Sequence, residues 1–260
     1  MFNPEHAQLC ALSGTPAYVF DTDVFRDRIA RTSRLLGSRA KLCYAMKANP
    51  FLAGTAELDR YEVCSPGEFA ICGIPMSRIV LSGVYKAETD LKRVIPAYGK
   101  LLTFTAESLR QFQQINAIAQ ANGLCVRLLL RLSSGNQFGI ERNEIIDLIK
   151  NRSLFTGVDI IGLQHFSGTQ RHSLGKYEKE LRMLDELLDE LQESGYEAQE
   201  LEFGPGFYVE YFQNQKPYDE DELVSGFARL LEQMRFKGKI ILELGRFLAA
   251  ACGTYYTAVC

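Results

Sequence analysis

Lys47 closes the run Lys41-Leu42-Cys43-Tyr44-Ala45-Met46 and is followed by Ala48, Asn49 and Pro50. A short, mostly apolar run of this kind reads as a strand buried in a parallel sheet. A lysine at the carboxyl end of such a strand lies where barrels and open sheets bind ligands, and an amine there can act as a nucleophile. The bland alternative is a lysine that snorkels from the core to water. Other residues bear on the choice. Gly204-Pro205-Gly206 is a tight turn after a later strand, and Arg246 lies just past the last one. Backbone N–H groups and a guanidinium in those places suit a phosphate, although such turns are as common without a ligand. Glu243 ends the last strand, beside the Lys47 strand if the sheet closes, and is either a plain ion-pair partner or a functional carboxylate. His165, with Phe166, Ser167 and Gly168 behind it, is either a satisfied rim histidine or a ring lying on a cofactor. Glu62, Ser65 and Arg131 complete the strand-end set; Glu62 and Arg131 either pair with each other or hold Lys47 and its ligand.

These residues need a scaffold that brings strand ends together. From Lys41 onward the chain alternates apolar strand runs with helical ones. Strands are expected at 41–46, 61–64, 79–81, 101–104, 125–132, 158–165, 200–203 and 239–243. Between them lie helical stretches, one of them at 52–60, and one is strongly amphipathic: Leu174, Tyr177, Leu181, Leu184, Leu188 and Leu191 step by three and four. Eight strands alternating with helices predict a (β/α)8 barrel. An open doubly wound sheet would carry an early glycine fingerprint, which is lacking. The extended run at 15–20 and the β-prone run at 253–259 belong to no barrel strand. Both read as parts of a second, β-type unit. The expected division is therefore residues 1–20, a barrel over 21–246, and 247–260.

Composition narrows the partners. A net charge of −3 argues against a nucleic-acid or anionic-membrane surface. No apolar run approaches the ~20 residues of a membrane span, and the start lacks a signal-peptide pattern. Seven scattered cysteines without a CxxC pair suggest reduced thiols and a cytoplasmic protein. No Cys/His cluster has metal-ligand spacing, so no metal is expected.

Tyr44-Ala45-Met46-Lys47-Ala48-Asn49 resembles the Y-A-x-K-A-N signature of the pyridoxal-phosphate decarboxylases of the ornithine, diaminopimelate and arginine group, which have an alanine-racemase-like barrel. In the same order, Glu62 to Glu68 looks like D/E-x-x-S-x-G-E and Ser82-Gly83-Val84-Tyr85-Lys86 like S/N-G-x-x-K. Arg131-Leu132 with Gln137-Phe138-Gly139 is similar to L-R-(I/V)…K-F-G. His165-Phe166-Ser167-Gly168-Thr169 approximates H-x-G-S, Gly204-Pro205-Gly206-Phe207 stands for G-G-G-F/Y, and Glu243-Leu244-Gly245-Arg246 for E-P-G-R. The resemblance implies pyridoxal 5'-phosphate as cofactor and Lys47 as its Schiff-base lysine. It implies a phosphate site at Gly204, Gly206, Ser167 and Arg246, a ring stacked on His165, and a ring nitrogen paired with Glu243. A carboxylate there favours decarboxylation over racemisation, because it keeps the electron sink protonated. A small amino-acid substrate and a homodimer are implied as well.

Pro205 replaces a glycine of the phosphate turn and removes one N–H donor. Leu244 replaces the usual proline. The loop between Arg131 and Phe138 is short. That departure puts ornithine, lysine or diaminopimelate in doubt and fits an amino-acid group within a larger molecule, as in siderophore or antibiotic pathways. Family members are longer, so a missing C-terminal β domain is expected. The competing readings are a single-barrel pyridoxal-phosphate protein without decarboxylase activity, a racemase of the same fold, and a metal- or phosphosugar-dependent barrel.

Overall fold

A computed structural model describes residues 4–212 and 218–258. Eight parallel strands close a barrel: β2 (Ala40–Ala45), β3 (Arg60–Val63), β4 (Ile79–Leu81), β5 (Thr103–Ala106), β6 (Val126–Leu132), β7 (Val158–Phe166), β8 (Glu200–Gly204) and β9 (Lys239–Leu244). β9 pairs with β2, with Cys43 opposite Glu243, so the expected seam exists. The strands read as near-continuous apolar runs because both of their faces are covered.

Around them lie α2 (Thr22–Leu36), α3 (Pro66–Ile71), α4 (Glu88–Tyr98), α5 (Leu109–Ala121), α6 (Arg142–Lys150), α7 (Leu174–Glu193), α8 (Glu220–Gln233) and the short α9 (Arg246–Ala249). Their starts follow local chemistry. Asp21 accepts from the N–H groups of Asp23 and Val24 to cap α2. Ser65 caps α3 by accepting from Glu68 N–H, while Glu68 reaches back to the N–H of Cys64. The amphipathic run at 174–191 is α7, with Leu181, Leu184, Leu188 and Leu191 buried.

The core has two parts. A large layer fills the space between barrel and helices, and a small cluster of Cys43, Val80, Leu129, Ile161 and Ile241 lies inside the barrel. Below the latter, Arg60 donates to Glu200 and, at 2.8 Å, to Glu202. All three side chains are buried.

Three features differ from expectation. The stretch after Lys47 is a 3-10 turn over Pro50–Thr55 rather than a helix to residue 60, because Arg60 already belongs to β3. A helix, α1 (Pro4–Ser13), precedes the first extended run; its apolar residues form no single stripe, so periodicity does not reveal it. The two unplaced β runs pair with each other. β1 (Ala17–Phe20) and β10 (Gly253–Tyr256) form an antiparallel ribbon apart from the barrel. Val259, expected to end the last run, lies outside the described residues. Among the described residues, no helix is long and apolar enough to cross a membrane.

Candidate active site

Lys47 lies in a single 3-10 turn, Met46–Ala48, just past the end of β2. The residues around it build that turn. The Tyr44 hydroxyl donates to the carbonyl of Asn49 at 2.9 Å, and Asn49 Oδ1 accepts from Phe51 N–H at 3.0 Å. The small residues Ala45 and Ala48 let the β9–α9 connection come close. A Cβ on Gly245 would stand 3.1 Å from Ala48 Cβ and 3.2 Å from Ala45 Cβ. Tyr44, the two alanines and Asn49 are thus the mould that brings Lys47 and Arg246 to one cavity.

That cavity is about 510 Å³ and opens at the carboxyl ends of the strands. Lys47, Glu62, Arg131, Ser167, Gly206, Glu243 and Arg246 all line it, which places most of the expected site residues together. Gly204 lies directly beneath: a Cβ there would stand 2.6 Å from the Phe166 ring and 3.4 Å from Glu243 Oε2.

Lys47 Nζ donates to Glu62 Oε2 at 2.8 Å and Oε1 at 3.1 Å, and lies 3.7 Å from Cys64 Sγ. The lysine therefore pairs across to β3 and not with Glu243 on β9, as the seam alone suggested. Burial by itself would lower the ammonium's pKa, but the charges of Glu62, Cys64 and Glu243 outweigh it and hold the value above the ordinary one. Glu62 shows the converse: burial would raise it, yet Lys47 keeps it below the carboxylate range. Glu243 has no such partner. Burial chiefly, with Glu62 and Glu202 adding repulsion, pushes it well above its ordinary value. Its oxygens accept from Gln164 Nε2 at 3.1 and 3.0 Å.

Elsewhere on the cavity two loops come into close contact. Gly206 has φ +58°, and a Cβ there would meet Gly168 O at 1.9 Å, so two loops approach where a side chain cannot fit. Arg246 Nη1 donates to Thr169 Oγ1 at 2.9 Å, which ties that guanidinium to the β7–α7 loop.

His165 is placed differently from expectation. It is 1% exposed and does not line the cavity. Its Nδ1 contacts Leu132 O at 3.2 Å, and Nε2 contacts Glu180 Oε1 on α7 at 2.9 Å. It faces the helix layer, where Arg171 also pairs with Glu180 at 2.6 Å. Strand alternation sends Gln164 and Phe166 into the barrel and His165 out. Phe166 therefore presents an aromatic surface in the cavity, as do Phe138, Phe207 and Phe247. Ser65 is also redirected: it caps α3 and lines a smaller neighbouring cavity. Arg131 pairs with Glu107, not with Glu62, and its guanidinium carbon lies 5.7 and 6.0 Å from the rings of Phe138 and Phe166. Glu107 in turn accepts from Gly83 N–H at 2.6 Å. Beside it Lys86 is buried, which lowers it to about 8, and donates to Gly83 O, Thr105 and Gln111.

Sequence reasoning missed Gln164 and Glu107 as parts of this assembly, and named Phe166 and Thr169 without giving either a role. Glu107 follows directly on the end of β5 and could have been found as a strand-end carboxylate. A larger open groove, about 710 Å³, runs along α2 and α8. There Arg28 pairs with Glu220 and Arg31 with Asp221, so both of its arginines are already engaged. Among the described residues no group of three or more His, Cys, Asp or Glu could hold a metal ion.

A closed parallel barrel with a lysine, a buried glutamate, an arginine and a close glycine approach around one cavity at the carboxyl ends of its strands has the layout of a ligand-binding barrel. Residues 22–250 match the family described as "Pyridoxal-dependent decarboxylase, pyridoxal binding domain", and the chain belongs to that family. The cofactor is accordingly pyridoxal 5'-phosphate. Curated relatives include diaminopimelate decarboxylases of Aquifex aeolicus, 28% identical over 97% of this chain and 64% of its own length, and of Vibrio cholerae, 28% identical over 97% and 65%. The chain thus spans somewhat under two thirds of these relatives. A crystal structure from Aquifex aeolicus superposes with a TM-score of 0.83 at 27% identity, covering 96% of this chain and 62% of that one. Lysine/ornithine decarboxylase from Vibrio vulnificus, complexed with putrescine, has the same fold (TM-score 0.81, 24% identity, 98% and 71% covered).

The cavity fits the cofactor on its own evidence. It supplies an amine, a cradle that a Cβ would fill, and a buried acceptor, Gln164 Oε1, that has no protein partner. An aldehyde with a phosphate tail answers the first two of these.

Proposed function

We propose that the chain is the cofactor-binding barrel of an amino-acid decarboxylase, with Lys47 as the residue that carries pyridoxal phosphate. The observation that supports this most directly is Glu243, a buried carboxylate on the cavity shared by Lys47 and Arg246. When bound, pyridoxal phosphate supplies the electron sink for the carbanion left by CO2 loss, and a protonated ring nitrogen makes that sink strong. Glu243 is the group to hold that proton. Glu62, whose Oε2 lies 2.8 Å from Nζ, aims the Lys47 amine into the cavity. Arg246, Thr169 and the backbone around Gly168 and Gly206 take the phosphate. Pro205 offers no N–H there, so the guanidinium carries more of the charge. Phe166 takes the place proposed for His165 against the ring. It gives an apolar face that does not titrate, and Arg131 lies beyond it.

The substrate class is a small molecule bearing an α-amino-acid group, and the whole protein is a homodimer in this reading. The β1–β10 ribbon, with residues 1–20 and 247–260, belongs to a β unit separate from the barrel over 21–246.

The test is spectroscopic and chemical. The chain mixed with pyridoxal phosphate should show a near-visible band that borohydride abolishes, and peptide mapping should find the reduced cofactor on Lys47. Carboxyl-labelled amino acids, free and carrier-attached, should then release labelled CO2. A band that persists in Lys47→Ala would refute the lysine's role. Cofactor binding without CO2 from any member of the panel would favour a non-catalytic pyridoxal-phosphate protein.

A further inference from the structure

We infer that Gln164 is a positioning residue that holds the Glu243 carboxyl group aimed into the cavity, an inference that rests on the pyridoxal reading of the site. Glu243 is short of support. It is buried at the end of β9, and both nearby carboxylates, Glu62 and Glu202, repel its charge. Lys47 is held by Glu62 and Arg246 by Thr169. Among the described residues, the hydrogen-bond donor to the Glu243 carboxylate is the amide of Gln164, whose nitrogen lies 3.1 and 3.0 Å from its two oxygens. A forked contact of this kind fixes the carboxylate plane as well as its charge.

When Glu243 is ionised, the amide nitrogen faces it and the oxygen is left over. That oxygen is buried, its residue 2% exposed, and it has no protein partner. Burying an acceptor without a donor costs free energy. Gln164 thus has one end committed to Glu243, and its contribution to the site runs through that carboxyl group.

The test compares pyridoxal phosphate with its analogue in which C–H replaces the ring nitrogen, each bound to the full chain and followed by fluorescence titration. Both can react with Lys47, but only the first can use Glu243. In the parent protein pyridoxal phosphate should bind about ten-fold more tightly than the analogue, the size expected of one hydrogen bond to a charged group. In Gln164→Met the ratio should fall to about one, with the analogue's own affinity nearly unchanged, since a bond to charge is what that substitution removes. Gln164→His, whose Nε2 reaches about as far from Cα as the amide nitrogen, should restore the preference. If Gln164→Met does not fold, Gln164→Leu makes the same test, because it too is apolar and carries no donor. A purely structural role would lower both affinities together and leave the ratio intact, and that result would overturn the inference. A ratio near one in the parent protein would do the same. Failure of both compounds to bind the parent would instead remove the pyridoxal reading itself.

Discussion

Glu202→Gln should free the protein's stability from a dependence on pH that the floor of the barrel imposes. Glu202 is fully buried. Its Oε2 accepts from Arg60 Nη1 at 2.8 Å, and its Oε1 has no partner. One guanidinium serves both Glu200 and Glu202. Burial is the main cause that pushes Glu202 up to about 7 from the ordinary 4.5; Arg60 opposes it, and Glu200 and Glu62 reinforce it. A folded-state value above the unfolded one means that, between those two values, the native state holds a proton the unfolded chain has released. The stability this group contributes is therefore fully present below 4.5 and is lost as pH rises through 7. At 1.36 kcal/mol per pH unit the loss is about 3 kcal/mol. Glutamine keeps the shape and an acceptor for Arg60 but cannot ionise. It also buries an amide in place of the orphan oxygen, at a cost of about 1–3 kcal/mol that does not vary with pH. The informative quantity is therefore a difference of differences. Urea denaturation followed by far-UV circular dichroism, at pH 4.5 and pH 8, should show the variant gaining about 3 kcal/mol on the parent as pH rises. A constant offset at the two pH values would refute the reasoning and show Glu202 to be ionised throughout.

Two further outcomes follow from the site. Gly206→Ala places a Cβ at φ +58° and 1.9 Å from Gly168 O, so the cradle must open. Left-handed backbone alone costs about 1–2 kcal/mol, and the affinity for pyridoxal phosphate should fall about ten-fold or more in a titration. His165→Gln removes contacts to Leu132 O and Glu180 but nothing in the cavity. Stability should fall by about 1–3 kcal/mol while the absorption maximum of the bound cofactor stays put. A shifted maximum with unchanged stability would return His165 to the ring.

Much of this protein could be read without its fold. Strand and helix alternation predicts the barrel because each period is a local property of the chain. The caps at Asp21 and Ser65 are equally local. The strand-end set around Lys47 is legible for the same reason, since a barrel gathers the carboxyl ends of its strands wherever their sequences lie. The terminal β runs were visible as strands, but their pairing joins residues at opposite ends of the chain, and alternation carries no information about partners.

His165 marks the limit. Ile161 lies inside the barrel, and strict alternation from it would place Leu163 and His165 inside too. The register between β6 and β7 slips, so that Leu128 faces Ile160 while Leu129 faces Gly162. One extra residue inverts every later side chain: Leu163 and His165 turn outward, Gln164 and Phe166 inward. Gly162 is part of the same event, since a Cβ there would lie 1.8 Å from Glu200 O on the neighbouring strand. A bulge is decided by the two strands that flank it, not by the strand that carries it. The sequence by itself determined which residue types stand at the barrel's mouth. Only the tertiary structure decided which of them face it, because facing depends on register, and register is a property of pairs of strands.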